Sequence, residues 1–195
     1  AGAQLAVLPE NFAYYGQSDL LAAGRAESDD KGPVRQFLAQ QAKKHGLWLV
    51  GGTIPVAEAK PRPFARCYAV NPQAEAVGHY DKIHLFDADL ASEPGKGAYR
   101  ESDNFSAGDQ IKTVRTELGI LGLTVCYDLR FAELFQRLAN SGAEIITVPS
   151  AFTAIFTVTT ETKEGTESDM LLGLLPHQWD NLAPTSATPT GYSYS

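Results

Sequence analysis

The first 150 residues alternate short apolar segments with two amphipathic segments of helical period, and this alternation limits the fold more than any other feature. The first helical segment starts at Pro33, a residue favoured at the first position of a helix, and ends at Gly46. The second segment, "RFAELFQRLANSGA", carries one apolar stripe and is ended by Gly142. Strands interleaved with helices in this way are typical of an α/β layer fold with a mainly parallel or mixed sheet.

The predicted strands are short, and four of them form two hairpins. In chain order they cover residues 4–8, 47–56, 67–70, 76–80, 111–115, 120–125 and 144–150. The segments 16–32 and 87–110 are polar or rich in glycine and proline, so both are predicted to be loops. In sheets of this type functional groups collect at the carboxyl ends of strands, and a site is expected there.

The composition argues for a globular protein and against several classes of partner. A net charge of −7 and a pI near 5.1 weaken the case for nucleic acid or an anionic membrane. No apolar run reaches the roughly 20 residues that a membrane span requires, and the opening "AGAQLAVLPENF" lacks the features of a signal peptide. Two cysteines far apart in sequence, Cys67 and Cys126, favour free thiols in a reducing cytoplasm over a disulfide. We therefore expect a cytoplasmic protein.

Three side chains with complementary chemistry each stand just beyond an apolar strand. Glu10 follows "LAVLP", Lys82 follows "AVGHY" and Cys126 follows "ILGLTV". A carboxylate can accept the proton of a thiol as the sulfur attacks, and an ammonium stabilises both a thiolate and the oxyanion that then forms. Each residue alone also has an ordinary explanation, as a core cysteine, a surface or capping acid and a solvated lysine. Together they predict a thiol-dependent reaction, provided that the three strand ends converge.

The histidines offer little support for a different site. No spacing typical of metal ligands connects His45, His79, His84 and His177, so a zinc site is not expected. The chain also lacks a well-placed Cys/His motif, which disfavours a papain-like reading without excluding it.

The segments "LAVLPENF", "YDKIHLFD" and "GLTVCYDLRF" resemble the three signature segments of the nitrilase superfamily, the carbon–nitrogen hydrolases. This resemblance places the family's catalytic triad on Glu10, Lys82 and Cys126. A fourth segment, "YRESDNFSAGD", is similar to the loop that carries the family's second glutamate and places that residue at Glu101. Taken together, the segments are most similar to the amidase branch of the family.

The resemblance implies a four-layer α-β-β-α sandwich, usually a homodimer formed through helices, and a small-molecule amide or nitrile substrate without a cofactor. The implied reaction hydrolyses a small linear amide to a carboxylate and ammonia through a thioester on Cys126. Glu101 would position the substrate or the lysine ammonium.

Two residues after the cysteine are further candidates for contact with the substrate. The backbone N–H of Tyr127 is placed by a strand-to-helix turn to donate to the oxyanion. Arg130 is expected to shape the turn through an ion pair with Asp128, and the alternative is that Arg130 binds the substrate.

The resemblance covers residues 1–153 and not residues 154–195. Family members have another strand and a long helix before the first segment, so we expect a partial domain that lacks those elements and its C-terminal part. The tail is β-rich and Thr/Ser-rich, with "IFTVTTET" and "DMLLGLLPHQW" as predicted strands. We expect it to be foreign sequence joined near Thr153, and the alternative is a divergent C-terminal part of the same family. It weakly resembles a strand segment of large endo-β-1,3-glucanases. A truncated or composite non-catalytic fragment with a vestigial triad, or a glycan-related role of the tail, therefore remain alternatives.

Overall fold

The computed structural model describes residues 2–14, 19–29, 31–89 and 98–151, and the backbone of 156–161 and 167–172. Contacts divide the chain into two units, Ala1–Ala151 and Phe152–Ser195. Among the described residues, no helix has both the length and the apolar character that crossing a membrane demands.

The first unit contains ten strands, three α-helices and two short 3-10 helices within its described residues. The strands are β1 Leu5–Val7, β2 Trp48–Val50, β3 Ile54–Val56, β4 Phe64–Val70, β5 Ala76–Asp81, β6 Asp87–Asp89, β7 Ala98–Arg100, β8 Lys112–Thr116, β9 Gly119–Leu123 and β10 Ile145–Thr147. The α-helices are α1 Leu20–Ala26, α2 Pro33–His45 and α3 Ala132–Asn140, and the 3-10 helices are Glu101–Asp103 and Cys126–Arg130.

These strands form two mixed sheets and a small ribbon. In the first sheet β1 pairs parallel with β2, and the long strand β4 pairs antiparallel with β2, β3 and β5. In the second sheet β9 lies between parallel β10 and antiparallel β8. The ribbon is the antiparallel pair of β6 and β7.

The two sheets face each other across one hydrophobic core, and a helix covers the outer face of each. Both sheets contribute apolar side chains to the core between them: Trp48, Val50, Cys67, Ala69, Tyr80, Val114, Leu121, Leu123 and Val125. On the outer face of the first sheet, Leu38 and Ala42 of α2 pack against strand residues such as Leu49 and Tyr68. On the second sheet, a Cβ added at Gly122 would lie 3.4 Å from the side chain of Leu138 in α3. The predicted α-β-β-α layering is therefore confirmed.

The structure corrects three segments predicted from the sequence: the strand at 47–56 and the loops at 16–32 and 87–110. The single strand expected at 47–56 is two strands, which both pair antiparallel with β4 and are separated by residues 51–53. A Cβ at Gly51 would lie 2.5 Å from a Leu38 methyl group, and a Cβ at Gly52, where φ is +50°, would overlap the carbonyl oxygen of Pro9. The two glycines thus allow both α2 and the segment after β1 to approach the sheet closely.

The segments predicted to be loops contain regular structure. Helix α1 lies within 16–32, and its first turn is capped by Asp19, whose carboxylate accepts from the N–H of Ala22 at 3.0 Å. Strands β6 and β7 and a 3-10 helix lie within 87–110. All four elements are too short to produce a clear periodic signal in the sequence.

In the second unit, β11 Phe156–Glu161 and β12 Glu167–Leu172 form an antiparallel pair. The first of these confirms the strand predicted from "IFTVTTET", and the second confirms the start of the strand predicted from "DMLLGLLPHQW". Residues 173–179 of that second prediction lie outside the described residues. The assignment of 154–195 as foreign sequence stays a prediction.

Candidate active site

Cys126 lies where the chain leaves the second sheet and enters a tight turn. Its backbone has φ of +45°, a left-handed conformation that is unusual and strained for a residue other than glycine. Its N–H donates to the carbonyl of Pro149 at 2.9 Å, which ties the turn to the segment after β10. The side chain is partly buried and is a free thiol. The sequence thus places the sulfur at the carboxyl end of β9, on a turn whose conformation is fixed by the sheet.

Glu10 is held at the end of the first sheet by hydrogen bonds from residues on both sides of it to β2 and to the β2–β3 connection. The N–H of Leu8 donates to the carbonyl of Val50 at 2.9 Å. The N–H of Asn11 donates to the Thr53 hydroxyl at 2.9 Å, and that hydroxyl donates back to the Asn11 side chain at 3.1 Å. The Glu10 side chain is buried as a result.

Lys82 follows β5, and its backbone is fixed on both sides. Its N–H donates to the carbonyl of Ala65 at 3.0 Å, and its carbonyl accepts from the N–H of Gly108 at 2.9 Å. The side chain is only 1% exposed. A buried ammonium requires anionic partners, and the structure provides two of them.

The side chains of Glu10, Lys82, Glu101 and Cys126 meet in one buried cluster. The Lys82 ammonium lies 2.7 Å from Glu10 Oε1, 2.8 Å from Glu101 Oε2 and 3.0 Å from Glu101 Oε1. The Glu10 carboxylate also lies close enough to the Cys126 thiol to raise the pKa of that thiol. The structure therefore brings together the acid, the amine and the thiol that the sequence places at three separate strand ends, together with Glu101.

A backbone donor that the sequence did not reveal completes this cluster. The N–H of Ala151 donates to Glu10 Oε2 at 3.1 Å, and it is near enough to Cys126 to lower the pKa of the thiol. No residue type signals a backbone contact of this kind, since any residue other than proline carries the donor. Ala151 lies two positions after Pro149, which accepts from the N–H of Cys126, so one short segment contacts both Cys126 and Glu10.

The charges in the cluster keep the lysine protonated. Burial alone would lower the pKa of Lys82, but the nearby charges of Glu10 and Glu101 outweigh it and raise the pKa above its ordinary value. Burial also raises the pKa of Glu101, although the Lys82 ammonium and the N–H of Phe86 act in the opposite direction. Phe86 N–H donates to Glu101 Oε2 at 2.6 Å, so Glu101 is held by backbone as well as by charge.

The thiol of Cys126 is protonated at neutral pH. Burial, then the charge of Glu10 and the hydrogen bond to it, raise the pKa of Cys126 to about 12, although Lys82 and the N–H of Ala151 lower it. Attack by this sulfur therefore requires a base that removes the proton during the reaction, and Glu10 is in contact to do so.

The high pKa predicts a pH profile for alkylation of Cys126. Iodoacetamide reacts with the thiolate, so the rate is expected to rise about tenfold per pH unit from pH 6 to 9 without a plateau. Cys67 is expected to react far more slowly, because it is fully buried and burial raises its pKa as well. The rates are measured by mass spectrometry of the two cysteine peptides. A plateau for Cys126 at or below pH 8 would contradict this description of the site.

The two remaining candidates differ in their surroundings. The ring of Tyr127 packs edge-on against Phe86 and Phe131 with centroids 5.0 Å and 5.4 Å away. Within the described part of the chain, the N–H of Tyr127 has no backbone acceptor, while its neighbours Cys126 and Asp128 donate to Pro149 and Val125. The N–H of Tyr127 is therefore available to an oxyanion.

The predicted ion pair between Arg130 and Asp128 is wrong. Arg130 is exposed, and no ion pair to it is found among the residues that the structure describes. Asp128 is fully buried, and its carboxylate is occupied by Tyr80, His84 and the N–H of Val125. A role for Arg130 in binding substrate stays a prediction.

Comparison with known proteins connects this site to a family. The sequence profile of the family described as carbon–nitrogen hydrolase matches residues 1–192. The deaminated glutathione amidase of Yersinia enterocolitica is 38% identical over 159 residues, which is 80% of this chain and 54% of that protein. The omega-amidase NIT2 of Homo sapiens is 38% identical over 153 residues, 77% of this chain and 52% of that protein. The chain spans about half the length of these relatives.

A solved structure gives a similar result. A variant of the amidase from Nesterenkonia sp. AN1 superposes with a TM-score of 0.63 at 27% identity, over 78% of this chain and 54% of that one. In that amidase the acetamide moiety of fluoroacetamide is covalently attached to the active-site cysteine. The family profile also extends over most of 154–195, the segment that the sequence resemblance left out, whereas the two relatives align with 77–80% of the chain.

Proposed function

Because this chain belongs to the carbon–nitrogen hydrolase family, we propose that it hydrolyses a small linear amide to a carboxylate and ammonia with Cys126 as nucleophile. The observation that supports this most directly is one buried carboxylate, Glu10, that pairs with an ammonium at 2.7 Å and raises the pKa of the Cys126 thiol. Such a trio supplies a nucleophile, a base for its proton and a positive charge for the developing oxyanion.

In the first half of the proposed reaction, Glu10 accepts the thiol proton while the sulfur forms a bond to the amide carbon. The carbonyl oxygen gains the negative charge, and the Lys82 ammonium and the Tyr127 N–H donate to it. One of the three lysine protons can serve the oxyanion, because Glu101 accepts through both oxygens and one of these contacts, at 3.0 Å, is replaceable. Transition-state donors of this kind typically contribute about 10²–10³-fold to the rate.

In the second half, the C–N bond breaks and Glu10 returns its proton to the leaving nitrogen, which departs as ammonia. The acyl group then remains as a thioester on Cys126. Glu10 next accepts a proton from water, the water oxygen attacks the thioester carbon, and the carboxylic acid leaves while the thiol regains a proton. Glu101 keeps the lysine ammonium in place through both half-reactions.

For the substrate, we propose a terminal amide on a short carboxylate chain. The support comes from the two relatives, which are named deaminated glutathione amidase and omega-amidase. We also propose that the protein is a cytoplasmic homodimer, as the family resemblance and its two free thiols suggest. Light scattering coupled to size-exclusion chromatography would measure the oligomeric state.

The function is tested with the full 195-residue chain and monoamides of four- and five-carbon dicarboxylic acids. Ammonia is expected in a 1:1 ratio to the carboxylate formed, and acid quenching is expected to reveal the acyl group on the peptide that contains Cys126. Circular dichroism and a thermal melt establish that the chain is folded. A cooperatively folded chain that releases no ammonia and carries no acyl group would favour the non-catalytic alternative.

Substitution of Gly52 by alanine is expected to lower turnover although residue 52 is not in the cluster. The added Cβ would overlap the carbonyl of Pro9, so the segment that carries Glu10 must move. A displacement of about 1 Å in a catalytic group can cost about 10²-fold in rate. Ammonia release is therefore expected to fall about 10- to 100-fold.

Gly46 provides a matched control for this substitution. Its φ of +59° is close to that of Gly52, but a Cβ there would meet nothing within 4 Å. Gly46→Ala therefore introduces similar backbone strain at the end of α2 without moving Glu10. The control is expected to melt at a lower temperature and to keep its turnover, and equal turnover losses in both variants would contradict the prediction.

A further inference from the structure

Asp128 is a buried carboxylate that the proposed reaction does not use. Its side chain is fully buried. Each of its two oxygens has two hydrogen-bond partners. Oδ2 accepts from the Tyr80 hydroxyl at 2.8 Å and from the N–H of Val125 at 2.9 Å. Oδ1 accepts from the N–H of His84 at 3.1 Å and lies 2.7 Å from Nδ1 of the same residue. A buried charge with four partners is costly to form and specific in its geometry.

The residues that contact Asp128 are close in sequence to Lys82 and Cys126. Tyr80 and His84 are two positions before and two positions after Lys82, and Val125 immediately precedes Cys126. The Tyr80 hydroxyl also accepts from the N–H of Ile83 at 3.2 Å, so the segment around Lys82 is held at three points. Asp128 therefore joins the turn that carries the thiol to the segment that carries the ammonium.

We propose that Asp128 is a positioning residue that fixes the Cys126 turn against the Lys82 segment through its four hydrogen bonds to Tyr80, His84 and Val125. Its effect on turnover rests on the amidase function proposed above. Its effect on the surroundings of the thiol does not rest on that function. Burial and the charge of Glu10 act on the Cys126 thiol in the folded chain whether or not the chain hydrolyses an amide.

The chemistry of the four donors explains why a carboxylate is required. Each oxygen of Asp128 accepts from one backbone N–H, which can only donate, and faces one group that can also accept, the Tyr80 hydroxyl or the His84 ring nitrogen. An asparagine has one oxygen and one NH₂ group. Whichever way it is turned, its NH₂ group faces a backbone N–H, either that of Val125 or that of His84. Asp128→Asn must therefore release one side of the connection.

The ring of His84 is held in the orientation that this connection needs. It stacks on Phe131 with ring centroids 3.6 Å apart and an interplanar angle of 8°. His84→Leu removes the side-chain partner of Asp128 Oδ1, whereas His84→Asn offers an amide N–H close to the position of Nδ1. This pair of variants separates the hydrogen bond from the bulk of the side chain.

The decisive measurement is the pH profile of Cys126 alkylation by iodoacetamide from pH 6 to 10, in the full chain and in Asp128→Asn. If Asp128 positions the turn, the Cys126 thiol of the variant moves away from the charge of Glu10 and becomes more exposed. The pKa of this thiol then falls towards the ordinary value of about 8.5. The profile of the variant is then expected to bend to a plateau above about pH 9, while that of the unsubstituted chain keeps rising. Glu133→Gln, which removes an exposed carboxylate from α3, is the control and is expected to leave the profile unchanged.

Turnover gives the second readout. Asp128→Asn and His84→Leu are expected to lower kcat about 10- to 100-fold with KM changed less than about threefold, and His84→Asn is expected to recover part of the loss. Variants that remain folded by thermal melt and keep both the alkylation profile and kcat of the unsubstituted chain would overturn the proposal. If the unsubstituted chain releases no ammonia, the alkylation profile still decides on Asp128, and the failure then belongs to the proposed function alone.

Discussion

Substitution of Cys126 by alanine is expected to reduce ammonia release by about 10⁴-fold or more, because the nucleophile that forms the thioester is removed. Alanine accepts the left-handed backbone at position 126 no worse than cysteine, so the fold is expected to persist. The remaining cluster of Glu10, Lys82 and Glu101 would keep its ion pairs. Activity is measured as ammonia release at saturating amide.

Cys67→Ala is the matched control, since it removes the other thiol of the chain. Cys67 is fully buried in the core between the two sheets. The substitution leaves a small cavity and is expected to cost about 1–2 kcal/mol of unfolding free energy with little change in turnover. If Cys126→Ala released ammonia as fast as Cys67→Ala, sulfur chemistry would be excluded as the basis of any activity.

Replacement of Lys82 by methionine is expected to be the most destabilising single change in the cluster. It leaves Glu10 and Glu101 buried next to each other without the ammonium that pairs with both. Removing one partner of a buried ion pair typically costs about 3–5 kcal/mol. Urea unfolding at pH 7.5 is expected to show a loss of this size, and ammonia release is expected to fall at least about 10²-fold.

The loss of stability in Lys82→Met is expected to depend on pH in a defined direction. Burial already raises the pKa of Glu101, and the variant lacks the ammonium that lowers it. A carboxyl whose folded-state pKa is above its unfolded value of about 4.3 stabilises the fold below that value and loses this contribution as pH rises through the folded pKa. The deficit relative to the unsubstituted chain is therefore expected to be smallest near pH 4–5 and largest near pH 8.

A second substitution distinguishes charge from packing in this prediction. Lys82→Met combined with Glu101→Gln removes one of the two unpaired carboxylates, so part of the lost stability at pH 7.5 is expected to return. Turnover is not expected to return, because the ammonium that would stabilise the oxyanion is still absent. Equal stability of the single and double variants would show that repulsion between Glu10 and Glu101 is not the cause of the loss.

The sequence predicted the members of the cluster better than it predicted their supports. Glu10, Lys82 and Cys126 each stand after an apolar run, and functional groups collect at strand ends in folds of this class. Their convergence was therefore accessible from pattern and resemblance, although the three strands belong to two different sheets. The sequence could not show which donor faces which oxygen of Asp128, because that arrangement depends on contacts between residues 44 and 48 positions apart. The sequence neighbour Arg130 was the obvious partner for Asp128, and the tertiary structure supplies Tyr80 and His84 in its place.

The sequence also failed to predict local structure where that structure depends on a residue far away in the chain. The strand expected at 47–56 is divided because Pro9 and Leu38 approach Gly52 and Gly51, and no pattern within that segment reveals either neighbour. Helix α2 has a related support, since the buried Glu27 carboxylate accepts from the N–H of Val34 at 2.8 Å. The sequence identified Pro33 as the start of α2 without indicating this acid as its cap.

The left-handed backbone at position 126 limits which amino acids natural variation can place there. A φ of +45° disfavours side chains branched at Cβ, so threonine is a poor substitute although its hydroxyl is chemically related to serine. Serine and alanine fit this backbone about as well as cysteine does. Of the two aliphatic hydroxyl side chains, only serine could therefore replace the sulfur as nucleophile at this turn. Inactive descendants of the protein are expected to carry small unbranched residues at this position rather than valine, isoleucine or threonine.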